Sequence, residues 1–334
     1  MELAGPAIRS DLSQSEFLDH LRANLPVLVR GALKTWAHRP PWDVDSLVGR
    51  VGHLRASVFG SMFELRGLTT LARFVTDHAA VEDAREAPYI RWFSRQGPER
   101  YPWADCAFDA IKDDWHVPSW FPKDSFVYPH SASTLDPRVD GFPARGIFVC
   151  GPGGRTRLHV DPWVSDAILC QATGRKHIRL FPPEAVISFV AGGEVVDLDA
   201  PDLTTFPCCG DPCPALDTVL EPGDALLIPA GWFHTVVALD FSVSLTWNFV
   251  HATTRERFDD YLENGGAEDP TVRFFACDAE GAGPGPGAKS RLDPGGGGRG
   301  GKSRRGDSIP WNDGADDRVQ QEAPGNEAVP FGAA

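Results

Sequence analysis

The stretch 146–250 constrains the fold more than any other part of the chain. It divides into short apolar runs at 147–150, 157–161, 167–172, 176–181, 225–229, 234–238 and 242–249, separated by clusters of Gly, Pro and Asp. Runs this short, broken this often, have the length of strands rather than helices. Many such strands with turn punctuation close into a sandwich or barrel. The expected fold class is therefore mainly β with surrounding helices.

The flanks read differently. Residues 1–85 mix both patterns and are expected to pack on the barrel. Ser13-Gln14-Ser15-Glu16 has capping-box spacing, with Phe17, Leu18 and Leu21 at helical intervals behind it. Pro26 to Gly31 reads as a short strand ending in a turn, and helices are expected near 44–51 and 71–78. The barrel domain is placed at 86–278. The remaining 56 residues, 279–334, hold 14 of the 34 glycines, too little apolar surface to offset the entropy of ordering, so a disordered tail is expected. Its Gly296-to-Ser303 run, GGGRGGKS, matches a phosphate-loop pattern. That pattern needs a strand before it and a helix after it, whereas Asp293-Pro294-Gly295 precedes it and Arg304-Arg305-Gly306-Asp307 follows, so it is read as chance in a Gly-rich segment. The basic run from Lys289 to Arg305 is read as a solvated linker.

Charge narrows the function. The net charge is -14, which argues against a broad basic surface for nucleic acid; no stable nucleic-acid binding is expected. No apolar run reaches the roughly 18 residues of a membrane span, and the N-terminus lacks a basic segment followed by an apolar one. Seven cysteines are an odd number spread over a long chain, which suits a reducing compartment. A cytoplasmic or nuclear, non-secreted protein is expected.

Two segments carry chemistry: Thr156-Arg157-Leu158-His159-Val160-Asp161, and Gly223-Asp224 through Ile228-Pro229-Ala230-Gly231-Trp232-Phe233-His234. Two apart in a strand, His159 and Asp161 share a face. His234, in another strand, supplies a third ligand. Two histidines and one carboxylate on one octahedral face suit non-haem Fe(II), and three positions remain for a bidentate 2-oxo acid and dioxygen. Alone the His-x-Asp pair is weak: ten histidines among 46 acidic residues give about one by chance. Its context strengthens it. Lys176 shares a strand face with Ile178 and Leu180, and an ammonium inside a barrel requires an anionic partner; Arg157 is the other cation nearby.

These segments, with Gln171-Ala172-Thr173-Gly174-Arg175-Lys176 through Phe181-Pro182-Pro183 and Phe241 through Trp247-Asn248, resemble the JmjC, or cupin-like, 2-oxoglutarate- and Fe(II)-dependent oxygenases. Within them the resemblance is greatest to the JmjC-only protein hydroxylases, the asparaginyl and arginyl hydroxylase group. Asp197 to Asp202 with Phe206-Pro207 resembles an insert of the arginyl branch. The resemblance is firm over 146–250 and weaker over 17–31. It implies a double-stranded β-helix, or jelly roll, with helices outside. It also implies His159, Asp161 and His234 as iron ligands, and Lys176 and Thr156 on the far carboxylate of 2-oxoglutarate. Tyr89 then contacts the cosubstrate and Asn248 lines the pocket behind His234. The cofactors are Fe(II), 2-oxoglutarate and O₂.

Two features depart from the family pattern. Lysine follows the metal carboxylate by 15 residues rather than 13, and Ser165-Asp166-Ala167 stands where an Asn is usual. An Asp166 turned inward would repel 2-oxoglutarate. Strict alternation also puts Thr156 on the face opposite His159, so its role requires a bulge.

Other groups have plainer readings. His130, His177 and His251 are read as structural, and Cys208, Cys209 and Cys213 as loop thiols lacking a fourth zinc ligand. Trp163, Trp232 and Trp247 are read as either pocket walls or core. The leading function is a dioxygenase hydroxylating or demethylating a substrate C–H, with a polypeptide side chain as substrate. The alternatives are a non-oxygenase cupin, either a metal-dependent isomerase or a small-molecule binding module, and an inactive JmjC pseudo-enzyme. A basic polypeptide requires an acidic rim, for which Asp124, Asp136, Asp140 and Asp166 are the candidates. A small molecule requires a closed pocket.

Overall fold

Chain order begins with strands that belong to the barrel's larger sheet. In this computed structural model, which describes residues 5–36, 42–78, 87–94, 102–210 and 212–276, β1 (Ala7–Arg9) runs parallel to β2 (Val27–Val29). Between them lies α1 (Gln14–Ala23). Both halves of the Ser13/Glu16 capping box are formed, which satisfies the free N–H groups of the first turn. Phe17 and Leu21 on its inner face are fully buried. Helices Val44–Val51 and Leu71–His78 occur as expected. They flank the hairpin of β3 (Arg55–Phe59) and β4 (Leu65–Thr70). β5 (Tyr89–Phe93) pairs with β3 and, on its other side, with β7. β6 (Phe126–Tyr128) pairs with the end of β16.

Eight strands then build two facing sheets: β7 (Gly146–Cys150), β8 (Arg155–His159), β9 (Asp166–Thr173) and β10 (Lys176–Phe181), followed, after a small hairpin of β11 (Val190–Ala191) and β12 (Glu194–Val195), by β13 (Leu216–Leu220), β14 (Ala225–Ile228), β15 (Phe233–Ala238) and β16 (Ser242–His251). The larger sheet runs β1-β2-β14-β9-β16-β7-β5-β3-β4, and the smaller β13-β10-β15-β8. All pairings among these eight strands are antiparallel, the jelly-roll arrangement the strand pattern predicts. One compact unit, Met1–Gly281, holds every described residue, so the strands before residue 85 extend the larger sheet. The expected tail, with its phosphate-loop pattern, lies outside the described residues.

Two apolar layers hold the barrel. Its interior is closed by Ile178, Leu180, Leu220, Leu226 and Ile228. Outside the larger sheet an aromatic layer centres on Phe121, whose ring lies 5.0 Å from Phe249 and 5.3 Å from Trp247. At Gly174, the turn from β9 to β10 has φ +68°, and a Cβ there would lie 2.0 Å from the Phe241 carbonyl oxygen; only glycine fits this approach.

Two local expectations are corrected. The strand read over 157–161 begins and ends two residues earlier, at Arg155–His159, so Asp161 stands in the turn beyond it, before Pro162, a residue that favours extended backbone ahead of itself. The strand Leu216–Leu220, too mixed to stand out in sequence, is an edge of the smaller sheet.

Candidate metal centre

Pairing of β15 with β8 sets His234 directly opposite His159, although 75 positions separate them in the chain. Asp161 comes back over the pair from the following turn. One ligand atom from each of the three lies within 4.8 Å of the others, and this is the only group of three or more metal-ligating side chains so placed among the described residues. Asp161 Oδ1 is 3.9 Å from Nε2 of His159 and 3.9 Å from Nε2 of His234.

The rings are held by their far nitrogens. His159 Nδ1–H donates to the Arg157 carbonyl at 2.8 Å, and His234 Nδ1–H to the Trp232 carbonyl at 3.1 Å. Each bond assigns the tautomer and leaves an Nε2 lone pair turned to the centre. Burial and the neighbouring His234 hold His159 well below the usual histidine range, and burial raises Asp161, with His234 and Asn248 opposing. Two neutral imidazoles and a carboxylate with open lone pairs suit a divalent transition metal, so the donor set fits iron.

Thr156 reaches the same interior as His159 through a bulge. His234 pairs with His159 but Val236 pairs with Thr156, so β8 carries one more residue over this step than β15. Lys176 is 1% exposed and lies inside the barrel, where its Nζ donates to Ser244 Oγ at 2.7 Å. Ser244 in turn donates to Gln171 Oε1 at 2.7 Å, and the Gln171 amide nitrogen donates to Thr173 O, Gly174 O and Ser242 Oγ. Tyr89, also 1% exposed, has its ring centroid 5.4 Å from Lys176 Nζ. The structure thus brings Lys176, Thr156 and Tyr89 around one interior space beside the metal ligands.

Asn248 sits beside the metal ligands: its Nδ2 donates to Ser165 Oγ at 2.9 Å, and its amide bonds the Asp161 carboxylate. Arg157 faces outward onto Asp197, in a cluster with Arg155, Arg179 and Asp199. The second interior cation is instead Arg91, which sequence reading missed. It is 1% exposed, and burial pushes its pKa down to about 10. Phe63, at the tip of the β3–β4 hairpin, was missed as well: its ring is 5.2 Å from His159 and 4.1 Å from the Arg91 guanidinium. The Tyr-x-Arg spacing in β5 was the available signal for Arg91; nothing local marks Phe63.

The departures from the family pattern resolve physically. Between Asp161 and β9 the chain makes a turn in which Trp163 (φ 64°) and Val164 (φ 47°) are left-handed. Trp163 turns toward Tyr128 and donates to Asp269 at 3.2 Å. Asp166 does not face the cosubstrate space: it accepts from Ala230 N at 3.0 Å and lies near Thr254 and Arg257. Three of the four acids expected at a rim bond within their own loop. Asp136 binds Arg138, Asp140 accepts from Asp136 N, and Asp124 accepts from Ser125; these carboxylates cap their own loop. Trp247 is core, packed on Trp115 and Phe121, and Trp232 closes the barrel's apolar interior. His177 pairs with Asp217 at 2.5 Å, His251 caps the turn after β16, and Cys209 is buried in an apolar cluster.

Comparison with known proteins agrees with this geometry. A family model described as a cupin-like domain matches residues 13–255. A mouse protein named tRNA wybutosine-synthesizing protein 5 is 28% identical over 277 residues, 80% of this chain and 84% of its own length. The zebrafish protein of that name is 31% identical over 171 residues, 49% of this chain and 45% of its own. An Arabidopsis thaliana protein named Lysine-specific demethylase JMJ21 is 26% identical over 255 residues, 73% of this chain and 25% of its own. A chicken protein named 2-oxoglutarate and iron-dependent oxygenase JMJD4 is 29% identical over 149 residues, 41% of this chain and 35% of its own. The charge argument against nucleic acid finds no support among relatives with such names. Among the described residues no helix is long and apolar enough to cross a membrane.

Proposed function

We propose, from the premise that this chain belongs to the cupin-like domain family and within it to the JmjC oxygenases, that it hydroxylates a C–H bond on a modified base of a tRNA. The chain is a 2-oxoglutarate- and Fe(II)-dependent dioxygenase. The convergence of His159, Asp161 and His234 beside two buried cations carries the assignment of roles. When bound, Fe(II) supplies open positions for a 2-oxo acid and dioxygen and the oxidising power for the C–H bond.

The chain's own residues do the positioning. His159 and His234 present Nε2 because their carbonyl partners hold the other nitrogen. Asp161 gives the anionic ligand, and the Asn248 amide orients it. Lys176, steered by the Ser244–Gln171 relay, takes the distal carboxylate of 2-oxoglutarate with Thr156 beside it. The Tyr89 and Phe63 rings exclude water from this space.

The tRNA substrate is supported by the relatives named for tRNA modification, several of which match this chain. A polypeptide side chain is the second reading, supported by the relatives named as demethylases and a lysyl-hydroxylase. The test supplies 2-oxoglutarate, Fe(II) and ascorbate, with either total tRNA or basic peptides. It reads succinate release together with the mass of one added oxygen in nucleoside or peptide digests. Oxygen in a tRNA nucleoside supports the first reading, oxygen only in peptide the second. No succinate under any condition overturns the enzyme assignment.

A further inference from the structure

We infer that Arg91 is a positioning residue for 2-oxoglutarate: it brings a second positive charge to the cosubstrate space and fixes Thr156 as a hydrogen-bond donor to the bound dicarboxylate. This deepens the function proposed above and rests on it. Arg91 lies in the middle of β5 with its guanidinium enclosed by Phe63, at 4.1 Å, and Tyr89, at 4.8 Å. Its Nη1 donates to the Gly60 carbonyl at 2.9 Å and its Nη2 to Thr156 Oγ1 at 3.1 Å. The Nε–H is buried and has no partner. Lys176 approaches the same Tyr89 ring. Among the described residues neither cation forms an ion pair with a carboxylate. Glu64, a carboxylate whose charge acts on Arg91, is taken up by the Arg66 side chain and the Met62 N–H.

Two consequences follow from donor chemistry. Guanidinium only donates, so Thr156 Oγ1 must accept from it, and the one hydroxyl proton is left to point at the Tyr89 oxygen or at an incoming carboxylate. The Lys176–Ser244–Gln171 relay follows the same rule: Ser244 accepts from the ammonium and passes its own proton to Gln171. Two buried cations without carboxylate partners are costly until an anion arrives. A pocket arranged this way favours a 2-oxo acid with a distal carboxylate over one without.

Calorimetric titration of the Mn(II)-loaded full-length protein tests this, with 2-oxoglutarate and 2-oxobutyrate as probes. Arg91→Gln is expected to weaken 2-oxoglutarate by about 10- to 100-fold, the worth of a hydrogen bond to a charged group, while 2-oxobutyrate changes much less. In a Thr156→Val background the same substitution is expected to cost several-fold less than in wild type, because only the charge contribution of Arg91 is then left to lose. Arg91→Lys keeps the charge but cannot span Gly60 and Thr156 together, so it recovers only part of the preference; it carries the test if Arg91→Gln does not fold. Equal losses for both oxo acids, full loss retained in the Thr156→Val background, or no loss overturns the inference while the function stands. A wild-type protein that binds Mn(II) but not 2-oxoglutarate overturns the function, and the inference with it.

Discussion

Replacing Asp166 by Asn is expected to stabilise the protein at neutral pH. Asp166 is 1% exposed, and burial pushes its carboxyl up to about 6 from 3.8. Each pKa unit corresponds to about 1.4 kcal/mol, so ionising it in the folded chain costs about 3 kcal/mol relative to the unfolded one. The sign follows from the direction. Below about pH 4 both states are protonated and the group costs nothing. As pH rises through about 6 the native form must ionise, and the stability the group contributed in acid is lost. Asparagine keeps an oxygen to accept the Ala230 N–H and never ionises. Denaturant unfolding in EDTA at pH 7.5 is expected to show Asp166→Asn more stable than wild type by about 1–3 kcal/mol, part of the gain being spent on placing the amide N–H₂ near Thr254. At pH 4 the difference is expected to vanish. A variant less stable than wild type by the same amount at both pH values would refute the reasoning.

Further expectations concern the site and the fold. Asp161→Ala or His234→Ala should abolish stoichiometric Mn(II) binding in equilibrium dialysis, since each removes one of three converging ligands; retained binding would place the metal elsewhere. Lys176→Met should raise the 2-oxoglutarate dissociation constant by at least about 30-fold, the lower end for truncating a buried charge pair, with circular dichroism unchanged. Phe121→Ala should cost about 3–5 kcal/mol in denaturant unfolding, as for a large aromatic removed from a packed core. Gly174→Ala should cost about 1 kcal/mol or more in the same assay, because its Cβ meets the Phe241 carbonyl.

What was legible in the sequence is what local periodicity encodes. Lys176, Ile178 and Leu180 alternate inward over the bounds read from the pattern, Lys176–Phe181, and the capping box at Ser13 marked its helix start. Arg91 escaped because strand pairing places it: 65 positions separate it from Thr156, and β5 adds to β7 at a register no short pattern announces. The same cause hid Phe63, which reaches His159 from a hairpin tip nearly a hundred residues earlier. Asp166 was read as a threat to the cosubstrate because it stands where the family pattern carries Asn. The turn with left-handed Trp163 and Val164 precedes it, and its carboxylate accepts from the Ala230 N–H instead. The local bonds of the acids at 124, 136 and 140 were not legible either, because loop carboxylates commonly bond their own backbone and neighbours.

The position of β8 at the border of the smaller sheet has a mechanical consequence. Among the described residues it has one strand neighbour, β15, and its outer side is tied by a single backbone bond, Arg157 N to the Ser61 carbonyl. Border strands fray first, opening at free energies well below that of global unfolding. An ion bridging His159 and His234 would act as a rivet between the border strand and its neighbour at the very residue where the pairing is interrupted by the bulge. Chelation should then be felt as local breathing: amides of 155–159 exchange faster with solvent, while those of β9 and β16, deep in the larger sheet, keep their protection. The hairpin tip with Phe63 leans on that border, so the shelter over the metal and the metal's hold on the strand would loosen together.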